Sequence, residues 1–412
     1  MKDASKHPLQ EMFPELLNGV EYVKLDEMGS FYSGLSGKSK EDFRDGNAKF
    51  ITYVNIFNNP ALNTDVENKV KIADGEKQNT IQYGDLLFTG SSETPDECGM
   101  CSVLTHHTDE KLYLNSFCFG FRFNDLSDKN PDFMKHLFRS SSIRKAICKT
   151  ANGVTRYNIS KKEFAKIEIP FPPLPVQEEI VKILDRFAEY AAELQAELQA
   201  RQQQYQYYRD KLLAFEGRED VKWMKLGDVC AYSKERIGVE EVNEDNYVSV
   251  ENLLPNQRGK EKASNVPKDG NCIKFEPNDI LVGNIRPYLH KIWFADCVGG
   301  TNGDVLCFRI KREAHTIISP RYLYCILSSH SFFEYDNNYA KGAKMPRGDK
   351  QKVMEYTFPI PSLIEQQKIV DILDRFDALI NDLSQGLPAE IEARRQQYEH
   401  YRDKLLTFKR KN

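Results

Sequence analysis

No stretch of this chain approaches the roughly 20 consecutive apolar residues that a membrane span requires. Mean hydropathy is −0.58, so a soluble protein with no membrane contact is expected. Met1 to Asn18 mixes charge with Leu and Phe and offers no apolar signal core, which leaves the cytoplasm as the expected compartment. Cysteines number nine, an odd and scattered set, so reduced thiols are expected and a disulfide framework is not. Cys98 and Cys101 have CxxC spacing, with His106 and His107 downstream, but no second CxxC pair exists. A structural zinc site needs four ligands, so ordinary thiols and no metal are expected.

An excess of positive charge is also missing: 57 Lys and Arg face 61 Asp and Glu, a net charge of −4. The whole chain therefore does not advertise a polyanion partner, although acidic helices can mask basic faces elsewhere. Catalytic signatures are absent too. There is no HExxH, no nucleophile elbow and no paired-carboxylate pattern, and the eight histidines, mostly isolated, read as surface or core residues. SGLSGKS (Ser33 to Ser39) is no phosphate loop, because only two residues separate Gly34 from Gly37 where that motif needs four. It reads as a glycine-rich loop presenting Lys38. PPLP at Pro172 to Pro175 differs from the Asn/Asp-Pro-Pro-aromatic loop of amino-methyltransferases. No catalytic residue is assigned.

What the chain does have is a duplication. IVKILDRF (Ile180 to Phe187) returns as IVDILDRF (Ile369 to Phe376), and YRDKLLAF (Tyr208 to Phe215) as YRDKLLTF (Tyr401 to Phe408). Each copy follows a proline stop, FPPLP (Phe171 to Pro175) or FPIPS (Phe358 to Ser362). The repeat unit is thus a globular stretch, a sharp break and a long helix. A chain of 412 residues holds two to three domains by length, and two similar units suit a target that also has two halves.

Leu9 to Leu17 reads as a short amphipathic helix stopped at Asn18-Gly19. VEYVKL (Val20 to Leu25) and VKWMKL (Val221 to Leu226) open two matching globular stretches. Short strands are expected at Phe50 to Phe57 and Tyr247 to Leu254, at Tyr83 to Gly90 and Pro277 to Asn284, and at Phe117 to Phe123 and Val305 to Ile310. Each half then turns helical, at Pro131 to Lys149 and Pro320 to Asn337, before a glycine loop, Ala151 to Ser160 or Ala340 to Asp349.

In the first long helix an apolar seam steps by four and three through Ile180, Leu184, Phe187, Ala191, Leu194, Leu198, Arg201, Tyr205, Tyr208, Leu212 and Phe215. The second seam runs Ile369, Leu373, Phe376, Ile380, Leu383, Leu387, Ile391, Arg394, Tyr398, Tyr401, Leu405 and Phe408, with one extra step of four. Gly386 and Pro388 lie there, so a kink or a break into two helices is expected. A helix of about 40 residues reaches roughly 60 Å, too long to pack only on its own domain. The other copy is its expected partner, in an intramolecular coiled coil.

The glycine loops are rich in donors. Arg139, Arg144, Lys145, Lys149, Arg156, Lys161 and Lys162 fall in one stretch without an acid, and Lys341, Lys344, Arg347, Lys350 and Lys352 repeat the idea with only Asp349 opposed. GNIRPYLHK adds Asn284, Arg286, Tyr288 and Lys291. Phosphates attract such charges, and base edges are read by Arg, Lys, Asn or Gln on exposed loops. A lone basic run is usually a solvated face; these two lie at matching places in both repeats.

The duplicated proline stop with Gln177 or Gln366 just after it, the ILDRF cores, AELQAELQ (Ala192 to Gln199) and the YRDKLL endings resemble the specificity subunits of Type I restriction–modification systems. The resemblance covers nearly the whole chain. It implies an α+β protein: two mixed α/β target recognition domains separated by two long antiparallel coiled-coil helices, a pseudo-two-fold repeat. The expected divisions are an N-terminal helix at 1–19, recognition domains at 20–170 and 217–358, and conserved helices at 171–216 and 359–412. It further implies a non-catalytic subunit that binds a bipartite double-stranded DNA target. The helices would act as spacer and as docking surface for two modification (methyltransferase) subunits, with restriction (motor and nuclease) subunits joining. No cofactor is expected in this chain; S-adenosylmethionine, ATP and Mg²⁺ would belong to the partners. Gly153, Thr155 and Arg156, and Gly342, Lys344 and Arg347, fall on the loop closing each recognition domain. The candidate DNA-binding set is Lys38, Ser91, Ser92, Asn152, Thr155, Arg156, Asn284, Arg286, Tyr288, Lys291, Thr301, Asn302, Lys341, Lys344 and Arg347. The helix-packing set is Leu184, Phe187, Leu194, Leu198, Tyr208, Leu212, Leu373, Phe376, Leu383, Tyr401 and Leu405. The rivals are a specificity protein of a fused restriction–modification enzyme, a nucleotide-dependent DNA enzyme using SGLSGKS, and a coiled-coil adaptor without a DNA role.

Overall fold

Leu86 and Phe88 face one hydrophobic core while Leu87 between them faces another, the two-residue alternation of a strand covered on both sides. Ile280 and Val282 against Leu281 repeat this. These strands, Leu86–Thr89 and Ile280–Gly283, are the middle of two domains built to one plan, as seen in a computed structural model that describes residues 6–381 and 386–411. The chain forms two compact units, Met1–Glu193 with Glu392–Asn412, and Leu194–Ile391.

In the first unit an antiparallel sheet runs Gly29–Ser33, Cys118–Phe123, Leu86–Thr89, Cys101–Val103. In the second the same order is Cys230–Tyr232, Val305–Ile310, Ile280–Gly283, Ile292–Phe294. Beside each lies a second sheet with one parallel pair, Ala48–Ile51 with Leu112–Leu114 or Tyr247–Val248 with Gly299–Thr301. A buried aspartate fixes each central strand at its start. Asp85 accepts from Gln82 N and takes both Arg122 Nε (2.8 Å) and Nη2 (2.6 Å); Asp279 accepts from Glu276 N and takes Arg309 Nε and Nη2 (2.7 Å). A carboxylate inside a core needs such a bidentate partner.

The tandem expectations at Phe50 to Phe57 and Tyr247 to Leu254 are corrected. The first strand stops at Ile51 because the Thr52 hydroxyl accepts from Asn55 N and starts a helix at Tyr53–Asn58. The second stops at Val248, where Asn252 Oδ1 accepts from Ser249 N and makes a turn. Leu9 to Leu17 holds turns and a single 3-10 segment, Pro14–Asn18. Pro14 lacks the N–H that would have continued a longer helix from Leu9.

The duplicated words explain themselves within each unit. The helix Leu174–Ala214 is continuous, and its first half packs Val176, Ile180 and Leu184 into the first core together with Leu405, Leu406 and Phe408. Phe187 stacks on Tyr401 with ring centroids 5.4 Å apart, and Arg394 lies over Tyr190. Contacts therefore run up one helix and down the other, an antiparallel pair. In the second unit Tyr208 stacks on Phe376 at 6.1 Å, and Leu213 shares a core with Ile369 and Leu373. Each ILDRF thus meets the YRDKLL of the other copy. Leu194 and Leu198 are buried as well, Leu212 is half-buried, and Leu383 lies outside the described residues. The C-terminal repeat is two helices, Leu363–Asn381 and Leu387–Leu405.

The repeated Asp also has a role. Asp185 binds Lys135 Nζ (3.0 Å) and His136 Nε2 (2.7 Å), and Asp374 binds Arg321, tying each long helix to the helix after the sheet. Asp403 accepts from Ser141 N (2.9 Å) and Ser141 Oγ (2.5 Å), capping the helix Ser141–Cys148, whose own N-cap Ser140 makes no such bond. Asp403→Ala is expected to destabilise the protein by about 1–2 kcal/mol, and a urea midpoint unchanged from wild type would refute this capping role.

Candidate functional site

Past each central strand the chain turns outward and meets the glycine loop. In the first unit Ser91–Ser92 pairs with Tyr157 and Asn158, and Ala151–Asn152 pairs back with Asn158 and Ile159. In the second, Ile285 bridges to Arg347 and Lys341 bridges to Arg347. A cleft opens at this place in each unit.

The first cleft, about 540 Å³, is lined by Ser91, Ser92, Thr155 and Arg156, by Glu93 and Glu97, and by Tyr53, Val54, Phe57 and Phe117. Arg156 donates from Nη2 to Ser91 Oγ (3.0 Å), and its guanidinium lies 6.0 Å from the Phe117 ring centre. Tyr53 donates to Ser91 O (2.9 Å) and stacks on Phe57. Glu97 accepts from Ser92 Oγ (3.0 Å).

The second cleft, about 510 Å³, is lined by Arg286, Lys291, Asn302 and Asp304, with Tyr247, Ser249, Glu251, Val266 and Met345 among its other walls. Arg286 has φ +55°, a left-handed conformation that costs a non-glycine residue energy. Its N–H donates to Pro346 O (2.7 Å), which fixes the bend against the closing loop. Lys291 Nζ donates to Val250 O (2.5 Å), and burial holds its pKa below the usual lysine value. Arg347 pairs with Asp304 (3.0 Å) and Lys341 with Asp349 (2.7 Å).

The clefts occupy equivalent positions. Tyr53 and Val54 correspond to Val250 and Glu251 after the parallel strand, Ser91 and Ser92 to Ile285 and Arg286 after the central strand, and Arg156 to Met345 on the closing loop. The plan is shared, and the side chains presented are not.

Of the expected set, Ser91, Ser92, Thr155 and Arg156 come together in one cleft, and Arg286, Lys291 and Asn302 in the other. Asn152, Tyr288 and Lys344 are exposed nearby but are not among the lining residues. Three assignments are corrected. Thr301 is fully buried and donates to Val248 O (2.6 Å), joining two strands. Asn284 is 4% exposed beneath the loop. Lys38 is packed away with its Nζ on Lys71 O and Glu76 (2.6 Å), which draws the Glu76 carboxyl down to about 2.

The basic run before the first glycine loop is corrected as well. Arg139 donates to Cys101 O, Ile56 O and Phe57 O, and Arg144 to Gly99 O, Asp96 O and Cys98 O. Both cations tie loops to helices inside the fold. Cys98 and Cys101 are buried, with Cys98 Sγ donating to Tyr157 O, while His106 bonds Thr64 and His107 stacks on Tyr83. Among the described residues no group of three or more His, Cys, Asp or Glu could hold a metal ion. No described helix is long and apolar enough to cross a membrane.

Sequence reasoning missed Tyr53, Phe57, Glu93, Glu97 and Phe117. Phe117 lies outside the strand expected at Phe117 to Phe123, which begins only at Cys118.

The comparisons with known proteins bear on this arrangement. A family profile described as the Type I restriction modification DNA specificity domain matches residues 18–201 and again 218–393. The specificity subunit of the Type I restriction enzyme EcoR124I/EcoR124II of Escherichia coli is 32% identical over 267 residues, 61% of this chain. The alignment spans 65% of that relative's length. A solved chain from work on complex assembly and conformational transition of the type I restriction–modification system superposes with a TM-score of 0.62. It is 15% identical, with 94% of this chain and 97% of that chain covered, and this likeness is one of fold.

Proposed function

Because the chain belongs to the family of Type I restriction modification DNA specificity domains, we propose that it is the sequence-reading subunit of such a complex, with no chemistry of its own. Each unit reads one half of a bipartite double-stranded DNA target through its cleft. The paired helices dock two modification subunits, and restriction subunits join that assembly. S-adenosylmethionine, ATP and Mg²⁺ act in those partners.

The observation that carries this reading is the pair of clefts. They sit at equivalent positions in two domains of one plan, and different side chains line them. Conserved scaffolds with divergent loops are how one fold serves different ligands. Co-expression with the candidate modification subunit, followed by mapping of methylated adenines, tests it. One split motif is the expected result. Failure to co-purify, or methylation without a defined motif, would remove the reading.

Arg286→Ala tests the division of labour. Arg286 is exposed on a backbone fixed by Pro346 and Arg347. The variant complex is expected to lose about 1–3 kcal/mol of DNA affinity and to relax one position of one half-site, leaving the other strict. Lys344→Ala, on the exposed loop tip, is expected instead to weaken all sequences alike and to flatten the salt dependence by about one unit of slope. A mapped motif altered in both halves by Arg286→Ala would contradict the assignment.

A further inference from the structure

The first cleft differs from the second in the chemistry of its walls. Phe117 is 61% exposed and Val54 62%, and both line it. Single exposed apolar residues are ordinary, but two that line one cleft together form a patch of the kind that marks a contact site. Phe117 is rigidly held: its N–H donates to Asn115 Oδ1 (2.8 Å) and its carbonyl accepts from Gly90 N (2.9 Å). Gly90 permits that approach, since a Cβ there would lie 2.7 Å from Phe117 O. The Arg156 guanidinium, itself bonded to Ser91 Oγ, sits over the ring.

Glu93 and Glu97 line the same cleft. Carboxylates repel phosphate, and the two of them outweigh the one cation in the cleft, Arg156, which is already bonded to Ser91, so the surface favours base edges over the sugar–phosphate backbone. Among base edges in the major groove, one group is apolar: the C5-methyl of thymine. Resting on the proposed DNA-reading role, we propose that the first unit reads a thymine in its half-site through contact of the C5-methyl with Phe117. The neighbouring carboxylates suit the amino group that adenine presents on the same pair. In the second unit the segment before the equivalent strand carries Asn302 and Asp304, so the Phe117 contact has no counterpart at that position.

The test uses the complex with its modification subunit and a duplex carrying the mapped motif. Each thymine is replaced in turn by deoxyuridine, which removes only the methyl group. With the wild type, one replacement is expected to weaken binding about three- to tenfold, the worth of one buried methyl or slightly more. With Phe117→Ala the same replacement has no further effect, and the salt dependence of binding is unchanged because no phosphate contact is lost. Phe117→Leu keeps the sensitivity. Phe117 is exposed and belongs to no hydrophobic core, so the variants are expected to fold. A motif whose half-sites lack A·T pairs, a wild type indifferent to every deoxyuridine, or equal sensitivity in Phe117→Ala overturns the inference while the DNA-reading role stands. A wild-type complex with no sequence preference overturns both.

Discussion

Gln177→Leu is expected to destabilise the first unit by about 3–5 kcal/mol. Gln177 is fully buried. Its Oε1 accepts from Asn130 N (2.9 Å), and its Nε2 donates to Asp128 O (2.9 Å) and Pro172 O (2.8 Å). Leucine has similar volume and none of these atoms, so one N–H and two carbonyls lose their partner, Pro172 O in a fully buried place and the other two in part-buried ones. Each such group costs about 1–3 kcal/mol when left unpaired. Gln366 makes the same three bonds, to Ser319 N, Ile317 O and Pro361 O, so Gln366→Leu should do the same to the second unit. The measurement is chemical denaturation of each variant, and a loss under about 1 kcal/mol would show that the amide is incidental. The glutamine after each proline stop is thus a clasp: it fixes the start of the long helix to the loop that leads into the helix after the sheet.

Asp336→Asn is expected to stabilise the second unit, and only at higher pH. Asp336 is fully buried, and neither carboxyl oxygen has a hydrogen-bond partner among the described residues. Burial pushes its pKa up to about 6. The folded state therefore holds its proton up to about pH 6, whereas the unfolded chain releases it near the ordinary value of 3.8. Between those values folding takes up a proton, so stability falls as pH rises from about 4 to about 6 and is level beyond. Two pH units correspond to about 3 kcal/mol. Asparagine carries no charge at any pH, so the gain should approach that size at pH 8 and vanish near pH 4. Denaturation midpoints of both proteins across that range decide it, and a constant gap would mean that the carboxyl is not ionising in place. The site lies under the loop that closes the second domain: a Cβ on Gly348 would fall 2.2 Å from Asp336 Oδ1.

The duplicated words were readable because they make the same contacts twice. Phe187 with Tyr401 and Phe376 with Tyr208 are one interaction built from exchanged halves, and identical contacts keep identical residues. Central strands such as Ile280–Gly283 were readable because they are covered on both faces and so read as unbroken apolar runs. The clefts were only half readable. A sequence shows that Arg139 and Arg144 are cations, but not that backbone carbonyls surround them. It shows a run of alternating aromatics at Phe117, but not that the first ring of that run stands outside the sheet. Thr52 carried a usable signal, a hydroxyl three residues before Asn55, which the apolar pattern around it obscured.

The composition of the first unit has a consequence for biosynthesis. Its core includes Leu405, Leu406 and Phe408, and its backbone joins Val20 to Lys409 and Lys411 by hydrogen bonds at 2.8 Å. The second unit draws on one unbroken segment, 194–391. A ribosome delivers chains from the N-terminus, and domains fold as their residues emerge. Here the domain begun first must wait, with part of its apolar surface uncovered, while the domain begun second can close as soon as its own segment is out. A stop codon falling in the 390s would therefore spare the later domain and leave the earlier one exposed to proteases and aggregation.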